Sequence, residues 1–188
     1  SHLCFLVESH ETVEGTVQEA LKEFFSSEAG DFVTAVDEKN SIVVKELSPE
    51  DTYTEVQKIA DSMLDMLSSE VMLSTRVSYG TIVNEIKEVS RSYKEAKMAL
   101  EVGKIFFVDR RIVAYNALGI GRLIYQLTIP ICKMFIKEIF ADVSPDDFDE
   151  ETLETIAKFF ENNLNVSETS RQLFIHRNTL VYRLDKLD

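Results

Sequence analysis

Apolar residues change their period along this chain, and each change marks an element. Leu3-Cys4-Phe5-Leu6-Val7 is a continuous apolar run that suits a buried strand. Val13, Val17, Leu21 and Phe24 then recur every three to four residues, which predicts an amphipathic helix ending before Gly30. Phe32 to Val36 and Ile42 to Val44 flank the polar turn Asp37-Glu38-Lys39-Asn40 and read as a hairpin. After Pro49, Val56, Ile59, Ala60, Met63 and Leu67 line one helical face, and Met72 to Tyr79 returns to β-like composition before Gly80. Val89, Tyr93, Ala96 and Leu100 form a third helical stripe that Gly103 is expected to stop. Ile105 to Val108 and Ile112 to Tyr115 then flank Asp109-Arg110-Arg111 as a last hairpin. The order β-α-β-β-α-β-α-β over residues 1–116 predicts an α+β domain with helices on a mostly antiparallel sheet, of ferredoxin-like or cyclase-like kind.

From Asn116-Ala117-Leu118-Gly119 onward the pattern is helical throughout, so residues 117–188 are read as a second, all-α domain. Leu118 to Leu127 form one segment, and Pro130 opens another with an apolar face of Ile131, Phe135, Ile136 and Ile139. The acids between Asp142 and Glu154 suit the N-terminal turn of a helix carrying Leu153, Ile156, Ala157 and Phe160, and Asn162-Asn163 marks its end. Two short helices follow over about 164–188. Ser167 is the expected N-cap of the first, and Ser170 is small enough to let the second cross closely. The final helix turns Leu180, Leu184 and Leu187 inward and is expected to run to Asp188.

Charge confines the function this ending can have. With 20 lysines and arginines against 33 acids the chain carries −13, which opposes a broad nucleic-acid surface. From Asn165 to Asp188, however, Arg171, Arg177, Arg183 and Lys186 outnumber Glu168, Asp185 and Asp188, a local +1. No apolar run approaches the roughly 18 residues of a membrane span and no signal peptide opens the chain, so a cytoplasmic protein is expected. Its abrupt start reads as that of a fragment. Cys4 and Cys132 lie far apart in apolar patterns and read as buried thiols of a reducing compartment.

Enzymatic chemistry is not visible. A cyclase of this fold class would need metal-binding acids near the first strand and a glycine-rich acidic hairpin. Here the first strand offers only Glu8, and the hairpin Val36 to Ser41 has no glycine to let a backbone approach phosphates. Asp37-Glu38 reads as a solvated turn, and Gly119-Ile120-Gly121-Arg122 as a turn into a helix rather than a phosphate loop. His2, His10 and His176 are too scattered for a metal site, and no cofactor is expected.

The terminal helix pair is a helix-turn-helix pattern whose second helix opens with Arg177-Asn178-Thr179. Arg177 and Asn178 are the candidate base contacts, since arginine reads guanine and asparagine reads adenine bidentately. Thr179, Tyr182, Arg183 and Lys186 are the candidate phosphate or supporting contacts. Phe174 stands in the turn where a glycine is common, and a bulky side chain resists positive φ, so a reshaped turn is expected.

The run from Leu164 to Leu184, above all His176-Arg177-Asn178-Thr179-Leu180-Val181-Tyr182-Arg183-Leu184, resembles the C-terminal helix-turn-helix of the CdaR/PucR regulators. Val77 to Tyr79, Ser92-Tyr93 with Glu95-Ala96, and Ala114-Tyr115 before Leu118-Gly119 resemble that family's degenerate GGDEF-like domain. The resemblance implies a bacterial transcription factor of a catabolic operon; because one short reading helix makes few contacts, a homo-oligomer on a double-stranded operator is expected. The resemblance also implies a non-catalytic GGDEF-like domain, and an effector bound by an N-terminal sensor domain outside this chain. The readings left beside it are a ligand- or protein-binding module that does not bind DNA and, more remotely, a nucleotide cyclase.

Overall fold

The computed structural model describes residues 1–10, 15–26, 30–70, 74–140 and 144–187. Val13, Met72, Asp142 and Asp188, each invoked above, lie outside the described residues. The described chain forms two compact units, Ser1–Leu127 and Thr128–Asp188.

The first unit is built on a five-stranded sheet ordered β2-β3-β1-β4-β5. Its strands are β1 (His2–Ser9), β2 (Phe32–Ala35), β3 (Asn40–Glu46), β4 (Thr75–Tyr79) and β5 (Ile112–Ala114). The helices are α1 (Thr16–Phe24), α2 (Tyr53–Glu70), α3 (Val89–Phe106) and α4 (Ile120–Tyr125). The element order is the one the periodicity predicts, and the fold is α+β.

β1 is central because its apolar run has no polar face to spend on solvent. Leu3, Phe5 and Val7 join Leu21 of α1 and Val56, Ala60, Met63 and Leu67 of α2 in one core. Leu6, on the other side, packs with Ala96 and Leu100 of α3. Helices therefore cover both faces, which is why this strand reads as a continuous run rather than an alternation. β1 pairs antiparallel with β3 and with β4, and β2 closes the predicted hairpin onto β3.

The last hairpin does not form. Ile105 and Phe106 finish α3, and β5 pairs parallel with β4, Val77 opposite Ile112 and Tyr79 opposite Ala114. Gly103 does not stop α3; it is buried inside it. A Cβ there would lie 2.7 Å from Val113 Cγ2, so the missing side chain lets β5 approach the helix. Arg111 secures the return, its Nε donating to the Thr75 carbonyl while its own carbonyl accepts from Val77 N at 2.8 Å.

A polar clamp fixes α3 on the opposite side. Ser92 Oγ accepts from Cys4 N at 3.0 Å and donates to the Thr81 carbonyl at 2.8 Å, while Glu95 takes both the Thr81 amide and its hydroxyl. Ser78 Oγ donates to the Ala96 carbonyl at 2.7 Å. Gly80 makes the approach possible, since a Cβ on it would sit 2.0 Å from the Ser92 carbonyl oxygen. α4 also belongs to this unit, with Gly121 lying against Val102 and Phe106 of α3. The contact boundary falls after Leu127, eleven residues beyond the boundary read from the composition shift.

The second unit holds α5 (Ile129–Phe140), α6 (Glu150–Glu161), α7 (Val166–Gln172) and α8 (Arg177–Asp185). Leu180 is fully buried and Leu184 half-buried. Leu187 is 38% exposed beyond the end of α8, so the inward stripe is one turn shorter than the leucine spacing suggests. The helix stops at Asp185 rather than running on to the chain end. Both cysteines are free thiols. Burial pushes the Cys4 thiol up to about 12, whereas Cys132 on α5 is only partly buried, contrary to its apolar pattern.

Candidate nucleic-acid interface

Three capped helices build the site. Asp149 caps α6, its carboxylate accepting from Thr152 N at 2.7 Å; hydrogen bonding from the Thr152 side chain first, and then from its amide, holds the Asp149 carboxyl below the usual carboxylate range. The N-cap of α7 is Asn165, not Ser167: Asn165 Oδ1 accepts from both Ser167 N and Glu168 N at 3.1 Å. Asparagine wins because its amide oxygen, two positions before Ser167, reaches two free N–H groups of the first turn. α8 is capped by His176, whose Nδ1 accepts from Asn178 N at 3.2 Å.

The turn between α7 and α8 is not reshaped. Phe174 adopts φ 54°, and Ile175 N donates to the Ser170 carbonyl at 3.0 Å while Phe174 N donates to that of Arg171. This is the hydrogen-bond pattern of a Schellman ending, which demands a left-handed residue at this place whatever its side chain. Asn163 and Leu164 take positive φ in the turn between α6 and α7, where Leu164 N donates to the Phe159 carbonyl at 2.8 Å. The helices meet on small residues: Thr155, Thr169 and Ser170 are buried with Leu180. Thr169 Oγ1, among the described residues, has no hydrogen-bond partner.

The six sequence-derived candidates fall into two groups. Arg177 and Asn178 stand exposed at the start of α8, and among the described residues their side chains have no ion pair or hydrogen bond. Thr179, Tyr182, Arg183 and Lys186 line a cavity of about 430 Å³ whose other wall is the start of α6, including Asp149 and Glu151. Within it Arg183 is tied down: its guanidinium pairs with Glu151 and donates to Thr155 Oγ1 at 3.3 Å, leaving the side chain 26% exposed. Lys186 Nζ sits 4.7 Å from the centre of the Tyr182 ring, a cation–π contact that keeps both side chains at the surface. Thr179 is exposed at the mouth.

Two further side chains are exposed beside the six candidates. Val181 follows Arg177 and Asn178 by one turn, is 38% exposed, and offers an apolar contact of the kind thymine methyl groups accept. Its spacing from Arg177 was the available signal. Phe174 is 95% exposed at the turn, a position no periodicity flags.

The hairpin of the first unit has its carboxylate occupied. Asp37 Oδ1 accepts from Lys39 N and Asn40 N, both at 2.8 Å, and from Asn40 Nδ2, which together hold its carboxyl below the usual range. Glu8 pairs with Lys104 at 2.9 Å. Among the described residues no three His, Cys, Asp or Glu side chains are grouped to hold a metal, and no helix is long and apolar enough to cross a membrane.

Comparison with known proteins bears on both units. Residues 1–102 match the GGDEF-like domain, and residues 152–188 match the PucR C-terminal helix-turn-helix domain. The purine catabolism regulatory protein of Bacillus subtilis is 25% identical over 155 residues, covering 80% of this chain and 29% of that protein. The carbohydrate diacid regulator of Escherichia coli is 29% identical over 131 residues, covering 70% of this chain and 34% of that protein. The chain thus spans about a third of the length of these relatives. A solved structure, a regulator of polyketide synthase expression from Bifidobacterium adolescentis, aligns over 99% of this chain and 70% of its own with a TM-score of 0.46 at 13% identity.

Proposed function

The chain belongs to the CdaR/PucR family of regulators, and from that premise we propose that it is the DNA-reading part of a transcription factor. In this reading the Thr128–Asp188 unit binds a specific operator as one half of a homodimer, in the cytoplasm. The observation that supports it best is the first turn of α8: Arg177 and Asn178 project from a helix start fixed by the His176 cap and by the left-handed turn behind it. Recognition helices present that same first turn to base edges. Arg177 and Asn178 are the base-reading pair, with Val181 beside them. Thr179, Tyr182 and Lys186 supply phosphate contacts. Arg183 is assigned a supporting role, because Glu151 already neutralises it.

Residues 1–116 act as a non-catalytic GGDEF-like domain in this reading. The occupied Asp37 and Glu8 support that, since the acids a cyclase would devote to metal are bound within the fold. The names of the relatives favour a catabolic operon as target. An effector would then be sensed by a part of the protein outside this chain.

Selection of bound sequences from a random DNA pool with the purified chain, followed by titration of the winning duplex, tests the reading. Binding is expected to weaken steeply with salt, as counterions are released from the duplex. Arg177→Ala is expected to lose about 1–3 kcal/mol of discrimination at one base pair, the scale of a bidentate contact. Unchanged discrimination in that variant would remove Arg177 from the site. Binding that is indifferent to salt, or no enrichment of any sequence, would favour a docking module that does not read DNA.

A further inference from the structure

The residues from His176 to Thr179 carry the start of α8, and all four are exposed. The chain is anchored on either side of them. Behind, Ile175 N donates to the Ser170 carbonyl of α7; ahead, Leu180 is fully buried. Between these anchors the His176 carbonyl takes the amides of Thr179 and Leu180, at 2.9 and 3.2 Å. The Asn178 amide goes instead to a side chain, the Nδ1 of His176 at 3.2 Å, and among the described residues no backbone carbonyl takes it. An imidazole nitrogen accepts a hydrogen bond only while it carries no proton. The oxygen of an asparagine cap, such as Asn165 on α7, accepts at any pH, whereas histidine side chains change charge between about pH 5 and 8.

We infer that His176 is a positioning residue for the reading turn: its neutral imidazole orders Arg177 and Asn178, and a proton on Nδ1 releases them. The inference rests on the proposed DNA reading for its consequence and on the cap alone for its mechanism. The proton acts twice. It replaces the acceptor by an N–H that faces the Asn178 N–H. It also places a positive charge where the helix dipole is already positive. The surroundings do not offset this. Arg177, next in the chain, is itself a cation, and Asp185 lies at the other end of α8. α7 and α6 are the helices packed against α8. On α7, Glu168 pairs with Arg171; on α6, Glu151 pairs with Arg183 and Glu161 with Lys158. Among the described residues neither these carboxylates nor Asp149, Glu150 and Glu154 form an ion pair with His176 that would hold an imidazolium in place.

Titration of the selected duplex at about pH 8 and about pH 5.5, with the wild-type chain and with His176→Asn, tests it. Asparagine supplies a cap that takes up no proton, so the variant sets the baseline. The ratio of wild-type to variant affinity cancels His2, His10 and every carboxylate the two proteins share. It is expected to fall about fivefold on acidification, the equilibrium factor of a typical cap. A constant ratio overturns the inference. So does a rising one, which would mean that the imidazolium holds a phosphate. A second measurement needs no DNA. Exchange of the Asn178 amide with water, followed by NMR and corrected for its intrinsic pH dependence, is expected to quicken about fivefold on acidification in the wild type but not in His176→Asn. Equal behaviour of the two proteins overturns the inference. Quickened exchange in a chain that binds no duplex upholds the cap and removes the proposed function; a duplex bound with the same ratio at both pH values does the reverse.

Discussion

Phe174 is a bulky residue held where the backbone favours glycine, and its side chain is almost wholly in solvent. The left-handed conformation costs a non-glycine residue roughly 1–2 kcal/mol. Nothing buried repays that cost here. Phe174→Gly is therefore expected to stabilise the α7–α8 pair by about 1 kcal/mol, less the entropy glycine loses on folding. Slower amide exchange in α7 and α8 would register it, and faster exchange would show that the ring contributes something its exposure hides. Gly80 is the opposite case. A methyl there meets the backbone of α3 at Ser92, which cannot turn aside as a side chain can. Gly80→Ala is expected to cost about 3 kcal/mol, the upper end of overpacking penalties, as a lowered urea midpoint. An unchanged midpoint would mean that α3 docks less tightly than the Ser92 clamp implies.

At the scale of elements, Arg183 shows what periodicity can and cannot say. The spacing of Leu180 and Leu184 correctly identifies the inward side of α8, and a basic residue just off that stripe then reads as solvent-facing. Which flank of the stripe meets a neighbour depends on how α6 crosses, and no local pattern encodes that. Because Arg183 spans from α8 to Glu151 and Thr155, Arg183→Ala is expected to destabilise the unit by about 1 kcal/mol, the value of a partly exposed pair with one added hydrogen bond. Glu151→Ala should cost about as much, and the double variant little more, when thermal melts are compared in a double-mutant cycle. Additive losses would mean that the two side chains are not coupled. The same limit explains Ile105 to Val108. A short apolar tetrad suits a helix end or a strand equally, and the choice is made by Gly103 against Val113, a contact ten residues apart in sequence. By contrast β1, the β2–β3 hairpin and α2 were legible, because burial there follows the local period.

At the scale of the whole molecule, acidity is shared by both units. The first has 13 basic residues against 21 acids and the second 7 against 12, so neither unit is a basic one carrying an acidic passenger. Attraction to a duplex would have to come from the few side chains around the start of α8, with the rest of the surface opposing it. If two copies pair as proposed, two sets of contacts held at a fixed spacing would act together where one set against −13 is weak. It also accounts for how the sequence could be read. The terminal motif is local and needs no knowledge of distant contacts, whereas the pairing of Arg183 with Glu151 appears only once the neighbours of α8 are known.

The strand order also has a consequence in time. β1 occupies the centre of the sheet but comes first in the chain, with β3 more than thirty residues and β4 more than sixty residues downstream. A chain emerging from its N-terminus therefore releases its most apolar strand well before either partner exists. That strand has β3 on one edge but lacks its β4 edge and its α3 cover until those follow, while α6, α7 and α8 close on contacts near in sequence. The sheet is the slow, aggregation-exposed half of this protein and the helical ending the fast one.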